Sequence, residues 1–304
     1  MSRFLLQRLG MSVIVLLGVA AIVFFSLFLT GDPAALMLPP DASRAQIDAF
    51  RHAMGFDAPV WLQFLRYLAQ VVQGDFGSSL RFGQPVLGLI AERLPATALL
   101  AVTALGWSTV LGFVLGILAA VYEGGATDFF VRLVALSGQA VPVFWLGLML
   151  IILVALDWHL LPTGGYGTAA HLVLPALSLG AYYMSAVTRL VRVSLIEALR
   201  QDYVRTARAK GLHELRVVIR HALRNALAPV LTVQALQFAS LLGGALITEI
   251  IFAWPGIGRL AVQALQNRDF PLVQAVVLLA SIVFVVVNLL VDIAYAALNP
   301  RVRL

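Results

Sequence analysis

The sequence has no cysteine and a single lysine, Lys210, and only 12% of its residues are charged. Each shortage excludes something. Without cysteine there is no disulfide framework and no thiolate metal site, although that absence assigns no compartment. With its one lysine in Ala209-Lys210-Gly211, the chain has no Gly-x-x-x-x-Gly-Lys-[Ser/Thr] loop to wrap nucleotide phosphates. Soluble domains carry about 25% charged residues. A chain with far fewer, and 61% hydrophobic residues, reads as a polytopic membrane protein. His52, His159, His171, His213 and His221 are never paired four apart, so no metal site is proposed. The net charge of +6 matches nucleic-acid binders in sign. The arginines, however, gather between apolar runs, as they do in cytoplasmic loops. No nucleic-acid partner is expected.

What is present is a series of apolar runs. Crossing about 30 Å of hydrocarbon takes roughly 20 residues. Six stretches qualify: 11–29, 96–122, 131–156, 172–191, 227–252 and 272–296. The first lacks a small-x-small cleavage site and is followed by Thr30-Gly31-Asp32-Pro33, so it is read as an uncleaved span. Pro142 predicts a kink in the third. Gly112-x-x-x-Gly116 in the second is a spacing that lets helices approach closely. The expected fold is all-α with six transmembrane helices and both termini in the cytoplasm. On that topology 14 of the 21 Arg and Lys lie inside, nine of them between Arg189 and Arg224. The short outer loops hold only Arg259 and Arg268.

The domain division follows: 1–30 for the N-terminus and first span, 31–95 for an extracytoplasmic segment, and 96–304 for a core of the other five spans whose inner loop covers 192–226. Two helices are predicted in the second part, 43–54 ended by Gly55 and 59–73 ended by Gly74. In the latter, Val60, Trp61, Phe64, Leu65, Leu68, Val71 and Val72 form one stripe, which predicts a helix lying on a membrane or protein surface. Residues from Trp254 to about Pro271 are read as an outer loop.

Ionisable groups inside a membrane are costly and usually functional. The central parts of all six spans hold none. Asp292 and Glu249 lie near span ends, where each is read as capping or pairing at an interface. This disfavours an ion-coupled secondary carrier, and the missing phosphate loop means that any ATP is bound by another subunit.

The basic stretch from Arg200 to Thr232 organises the rest. Tyr203 to Lys210 is a run of good helix formers, with Ala207 and Ala209 small and Gly211 as the stop. The stretch resembles the EAA loop of permease subunits of bacterial binding-protein-dependent ABC importers. Arg205-Thr206-Ala207 stands at the Glu-Ala-Ala position, Gly211 follows at the family's distance, and His221-Ala222-Leu223-Arg224 stands for Ile-x-Leu-Pro. The form YVRTARAKG…RHALRNALAP is similar to the branch that moves dipeptides, oligopeptides, glutathione and nickel. Gly31-Asp32-Pro33, Leu174-Pro175-Ala176-Leu177-Ser178-Leu179-Gly180 and Asn288-Leu289-Leu290-Val291-Asp292 extend the likeness along the chain.

The resemblance implies an import permease that pairs with a second homologous permease, two ATP-binding subunits and a substrate-binding protein. ATP and Mg would sit on the partners, with no cofactor on this chain and no catalytic residue. Tyr203, Arg205, Thr206, Ala207, Ala209, Lys210 and Gly211 would form the coupling helix that enters a cleft of the ATPase. Positive-inside bias accounts for most of the arginines there. Along the fifth span, Gln234, Gln237, Ser240, Gly244 and Thr248 make one polar, small face. It serves either to hydrogen-bond a passing peptide or to pack against the partner permease. The cargo implied is a peptide of the dipeptide, oligopeptide or glutathione kind. A nickel-chelate importer, a secondary transporter and a motorless channel or anchor are the alternatives.

Overall fold

The computed structural model describes residues 2–29, 31–38, 41–242 and 245–298. Among these the regular structure is helical, and the single β-bridge, Ser78 with Pro85, stands alone. Lipid offers no partner for backbone polar groups, so a chain this apolar satisfies them within helices.

Helix α1, Ser2–Leu29, starts well before the predicted span. It carries Arg8 because Arg8 Nη1 pairs with an Asp292 oxygen at 3.1 Å near the far end of the chain. A short helix, α2 (Pro33–Met37), is capped by Asp32, which accepts from the Ala34 N–H. Helix α3, Arg44–Met54, opens with a Ser43/Gln46 capping box and ends at Gly55 with φ of +70°. Helix α4, Val60–Val72, follows Pro59. Both match the predicted helices, because caps and turn glycines are local signals. On α4, Phe64 and Tyr67 pack against Phe24 of α1 with ring centroids 5.3 and 5.5 Å apart, while Trp61, Leu65 and Val72 stay exposed.

Helix α5, Val86–Val121, begins ten residues before the predicted span and runs through Pro95. Its early start has a packing cause. Val86, Leu89 and Ile90 are buried against Ile257, Leu260 and Leu272. Helix α6, Ala126–Ala140, and α7, Val143–Leu150, which continues as a π-helical segment Ile151–Asp157, flank Pro142. The bend there is 100°, far more than a kink. Helix α8, Ala169–Leu199, outruns its predicted span by two turns at the C-terminal end.

The remaining elements are α9 (Asp202–Ala209), the single turn α10 (Glu214–Arg216), a π-helical segment Val217–Leu223, α11 (Arg224–Leu242), α12 (Leu246–Ile251), α13 (Ile257–Gln266) and α14 (Phe270–Leu298). Four of the described helices are long and apolar enough to cross a membrane, five if α6 with α7 counts as one bent span. The predicted fifth span is not one helix. Ala245 is non-helical, and α12 starts after it. The predicted outer loop from Trp254 also departs from expectation, since it contains the ten-residue α13, which buries Leu260 and Ala264.

The centre of the bundle is the pair α5 and α8. A Cβ placed on Gly112 would sit 2.8 Å from Val187 Cβ, and one on Gly116 would sit 2.7 Å from Val191 Cβ. On the opposing helix, Gly180 leaves room for the Trp107 ring, whose Nε1 donates to the Ala176 carbonyl at 2.8 Å. Glycines here allow near-backbone contact, as the spacing predicted. Overpacking such a contact costs about 1–3 kcal/mol. Gly116→Leu is therefore expected to lower the thermal midpoint of the purified protein. Gly106→Leu, where nothing lies within 4 Å, is the control and should leave the midpoint in place. Equal midpoints for the two variants would contradict this packing.

Candidate functional site

The basic stretch is almost wholly helical. Helix α9 has two turns, too few to stand alone in water. It is held in three ways. Its inner side buries Val204 and Ala207 in a cluster with Leu195, Ile196, Val217 and Ala222. Its C-terminus is closed by a Schellman pair, with Leu212 N–H donating to the Ala207 carbonyl at 3.4 Å and Gly211 N–H to the Arg208 carbonyl at 2.9 Å. Gly211 has φ of +76°, a conformation glycine adopts without strain. Third, Arg208 forks onto Glu214 at 2.6 and 3.1 Å across the turn. That guanidinium holds the Glu214 carboxyl below the usual carboxylate range. The pair's small contribution is thus present above the ordinary carboxylate pKa and fades as pH falls.

The outward side of α9 shows Tyr203, Arg205, Thr206, Ala209 and Lys210, all exposed. Ala207 is not among them. It is 6% exposed and points into the chain's own core, so the small-residue face expected for docking is reduced to Ala209. Val204, Ala207 and Leu212 in fact make a short apolar stripe, a signal that was available in the sequence. Arg205 reaches Asp202 at 3.4 Å, and Arg200 reaches Glu123 in the α5–α6 turn at 2.9 Å.

Sequence reasoning missed the ionic joint behind α9. Asp128, in the first turn of α6, is 1% exposed. It accepts from Arg192 Nε at 2.6 Å and Nη2 at 2.8 Å, and from the Gly124 N–H at 3.0 Å, with Arg132 at 3.4 Å. The joint fixes α6 to α8 just before α8 hands over to α9. Its partners are 64 residues apart, and no local pattern announces them.

The predicted polar face is only partly assembled. Gln234 Oε1 accepts from Thr109 of α5 at 3.0 Å. Gln234 Nε2 and Gln237 Oε1 are buried with no hydrogen-bond partner among the described residues. Ser240 is exposed on the same helix. Thr248 lies on α12, across the break, and is buried. Gly244 lies outside the described residues.

The opposite end of the bundle is closed by a second buried carboxylate. Glu249 accepts from Thr97 Oγ1 at 2.7 Å and from the Arg259 N–H at 3.0 Å, at the N-terminus of α13. Thr97 Oγ1 in turn accepts from the Ile257 N–H at 2.8 Å. A Cβ on Gly256 would overlap the Glu249 carboxylate, and one on Gly258 would come 2.7 Å from Leu246 Cα. Trp254, 1% exposed, donates its Nε1–H to the Ala96 carbonyl at 2.9 Å. Glu249 therefore caps the N-terminus of α13, one of the two roles read for it from the sequence.

Breaking one side of a buried ion pair costs about 3–5 kcal/mol. Arg192→Ala is expected to lower the thermal midpoint sharply, because Asp128 keeps its charge but loses two donors. The double variant Asp128→Asn with Arg192→Gln, which carries no buried charge, should recover much of the loss. A midpoint for Arg192→Ala equal to that of the unmodified chain would show that the joint bears no load.

Residues 112–304 match the family described as "Binding-protein-dependent transport system inner membrane component", and residues 1–101 match the N-terminal part of the same systems' membrane component. The glutathione transport system permease protein GsiC of Salmonella paratyphi A is 43% identical over 304 residues, covering 100% of this chain and 99% of the relative. GsiC of Escherichia coli K12 is 41% identical over the same span. Among solved structures, an inward-facing form of the MetNI methionine ABC transporter aligns with a TM-score of 0.60 at 18% identity, over 70% of this chain and 97% of that one. That likeness shows the fold. The chain accordingly belongs to the family of binding-protein-dependent transport inner membrane components, as a multi-pass permease subunit of an ABC importer in the bacterial inner membrane.

Proposed function

We propose that this permease takes up short peptides of the glutathione kind, and that α9 is the helix through which partner ATPases drive it. The observation that carries the reading is α9 itself. A helix of two turns, capped at Gly211 and anchored by Val204 and Ala207, presents Tyr203, Arg205, Thr206, Ala209 and Lys210 outward. Its anchor residues belong to the same cluster as the ends of α8 and the π-helical segment. A push on α9 therefore passes into α8 and α11 without any further joint.

The chain crosses the membrane six times with both termini inside. The arginine distribution supports this. So does the Arg8–Asp292 pair, which sets the start of α1 beside the end of α14. The third span is α6 with α7, and the fifth is α11 with α12. The chain holds no phosphate loop, so ATP and Mg are bound by two partner ATPases, with a second permease and a substrate-binding protein completing the importer. No catalytic step falls to this chain.

The cargo class follows the glutathione permeases to which it is 41–43% identical. The buried Gln234 Nε2 and Gln237 Oε1 offer an unmet donor and an unmet acceptor. A peptide unit supplies one of each.

Two changes on the exposed side of α9 test the coupling, Tyr203→Asp and Ala209→Arg, in the complete importer reconstituted with its binding protein. Hydrolysis stimulated by glutathione-loaded binding protein is expected to fall to the unstimulated rate, or the ATPases to dissociate. Glutathione should stimulate the unmodified importer more than a dipeptide or a nickel chelate. Wild-type hydrolysis and transport in both variants would remove α9 as the docking helix. Stimulation by nickel chelate alone would overturn the cargo.

A further inference from the structure

Between the C-terminal end of α1, α4 and the start of α14 lies a cavity of about 250 Å³. Its apolar wall includes Phe24, Leu27, Phe28 and Phe76. Its polar lining includes Arg66, Tyr67 and Asp75. The Tyr67 hydroxyl is buried and has no hydrogen-bond partner among the described residues. Burial pushes this phenol up to about 12, so it remains a donor. Arg66 is exposed and forms no ion pair or hydrogen bond among the described residues. Asp75 accepts from the Gly77 N–H at 2.8 Å through one oxygen. An unpartnered cation, an unpartnered hydroxyl donor and an acid therefore share one aromatic cavity.

The surroundings identify the occupant. Leu29 at the end of α1 and Val72 at the end of α4 are each 87% exposed, and Trp61 and Leu65 of α4 are exposed as well. An amphipathic helix with an outward Trp beside a spanning helix lies in the headgroup layer of a membrane. None of α5, α8 or α11 lines the cavity, so it stands apart from the polar face on α11. A phosphate accepts from guanidinium and hydroxyl donors, and the same headgroup's amine suits Asp75.

We propose that this cavity binds the headgroup and upper acyl chain of an outer-leaflet phosphatidylethanolamine, with the phosphate on Arg66 and Tyr67 and the chain against Phe24, Phe28 and Phe76. The inference rests on the orientation proposed above. The bound lipid ties α4, and with it the segment between the first two spans, to the membrane surface.

The absence of cysteine makes the test direct. Gln274→Cys, in the cavity lining, gives this chain one thiol for a bimane fluorophore. The complete importer, with partner subunits cleared of reactive thiols, is placed in lipid nanodiscs containing phosphatidylethanolamine that carries a nitroxide near the top of one acyl chain, which leaves the headgroup amine free. Leu29→Cys, exposed at the same end of α1, is the bulk-lipid control. Quenching at position 274 is expected to exceed that at position 29. The excess should vanish in Arg66→Gln and shrink in Tyr67→Phe. Equal quenching at the two positions, or an excess that neither variant changes, would overturn the proposal. So would bimane emission that responds to added glutathione and not to the labelled lipid, which would make the cavity a peptide site. A membrane-impermeant thiol reagent applied to intact cells reports the side of position 274 separately. Labelling only from the cytoplasmic face would overturn the orientation whatever the quenching shows.

Discussion

The near-backbone contact between α5 and α8 is the constraint on which the rest of the bundle depends. Without side chains at Gly112, Gly116 and Gly180, the two helices pack with Val187, Val191 and Trp107 filling the space a Cβ would claim. In lipid there is little hydrophobic drive between helices, so close van der Waals packing of this kind is what binds them. Each helix then carries one functional end. The beginning of α5 holds Trp254 and, through Thr97, Glu249. The end of α8 holds Asp128 of α6 and leads into α9. One rigid pair thus links both ends of the permease.

Helix α9 shows how a surface element is made both exposed and stiff. Two turns of helix have little stability of their own. The stability is supplied from behind by Val204 and Ala207 and at the end by the Gly211 cap. The front stays free, with charged and polar groups and one aromatic residue. The coupling role proposed for α9 needs this division, since a loosely held helix would absorb a displacement instead of passing it on.

The sequence showed most clearly what depends on neighbours along the chain. The ends of α3 at Gly55, the start of α4 after Pro59, the stop at Gly211 and the close-approach spacing at Gly112 and Gly116 were all readable, because caps, turns and helix faces have local signatures. What was hidden depends on residues far apart. The Asp128–Arg192 joint spans 64 residues and the Thr97–Glu249 bond 152. The extension of α5 through Pro95 follows from packing against α13 and α14, which outweighs the local signal of a proline. The inward turn of Ala207 is a subtler case. Composition marked a small face on α9, but only the neighbouring cluster decided which way it points. Pro142 announced a kink, while the 100° bend depends on where α7 finds its partners.

The seal at Glu249 constrains how the permease can open. Thr97 Oγ1 receives one backbone N–H of α13 while giving its own proton to the carboxylate that receives another. Separating α13 from α5 would strand a buried carboxylate and a buried amide together, a heavy penalty in so apolar a setting. The start of α5, α12 and α13 therefore form one hydrogen-bonded block that a conformational change is expected to move as a unit. Any opening seam has to run along the outside of that block and not through it.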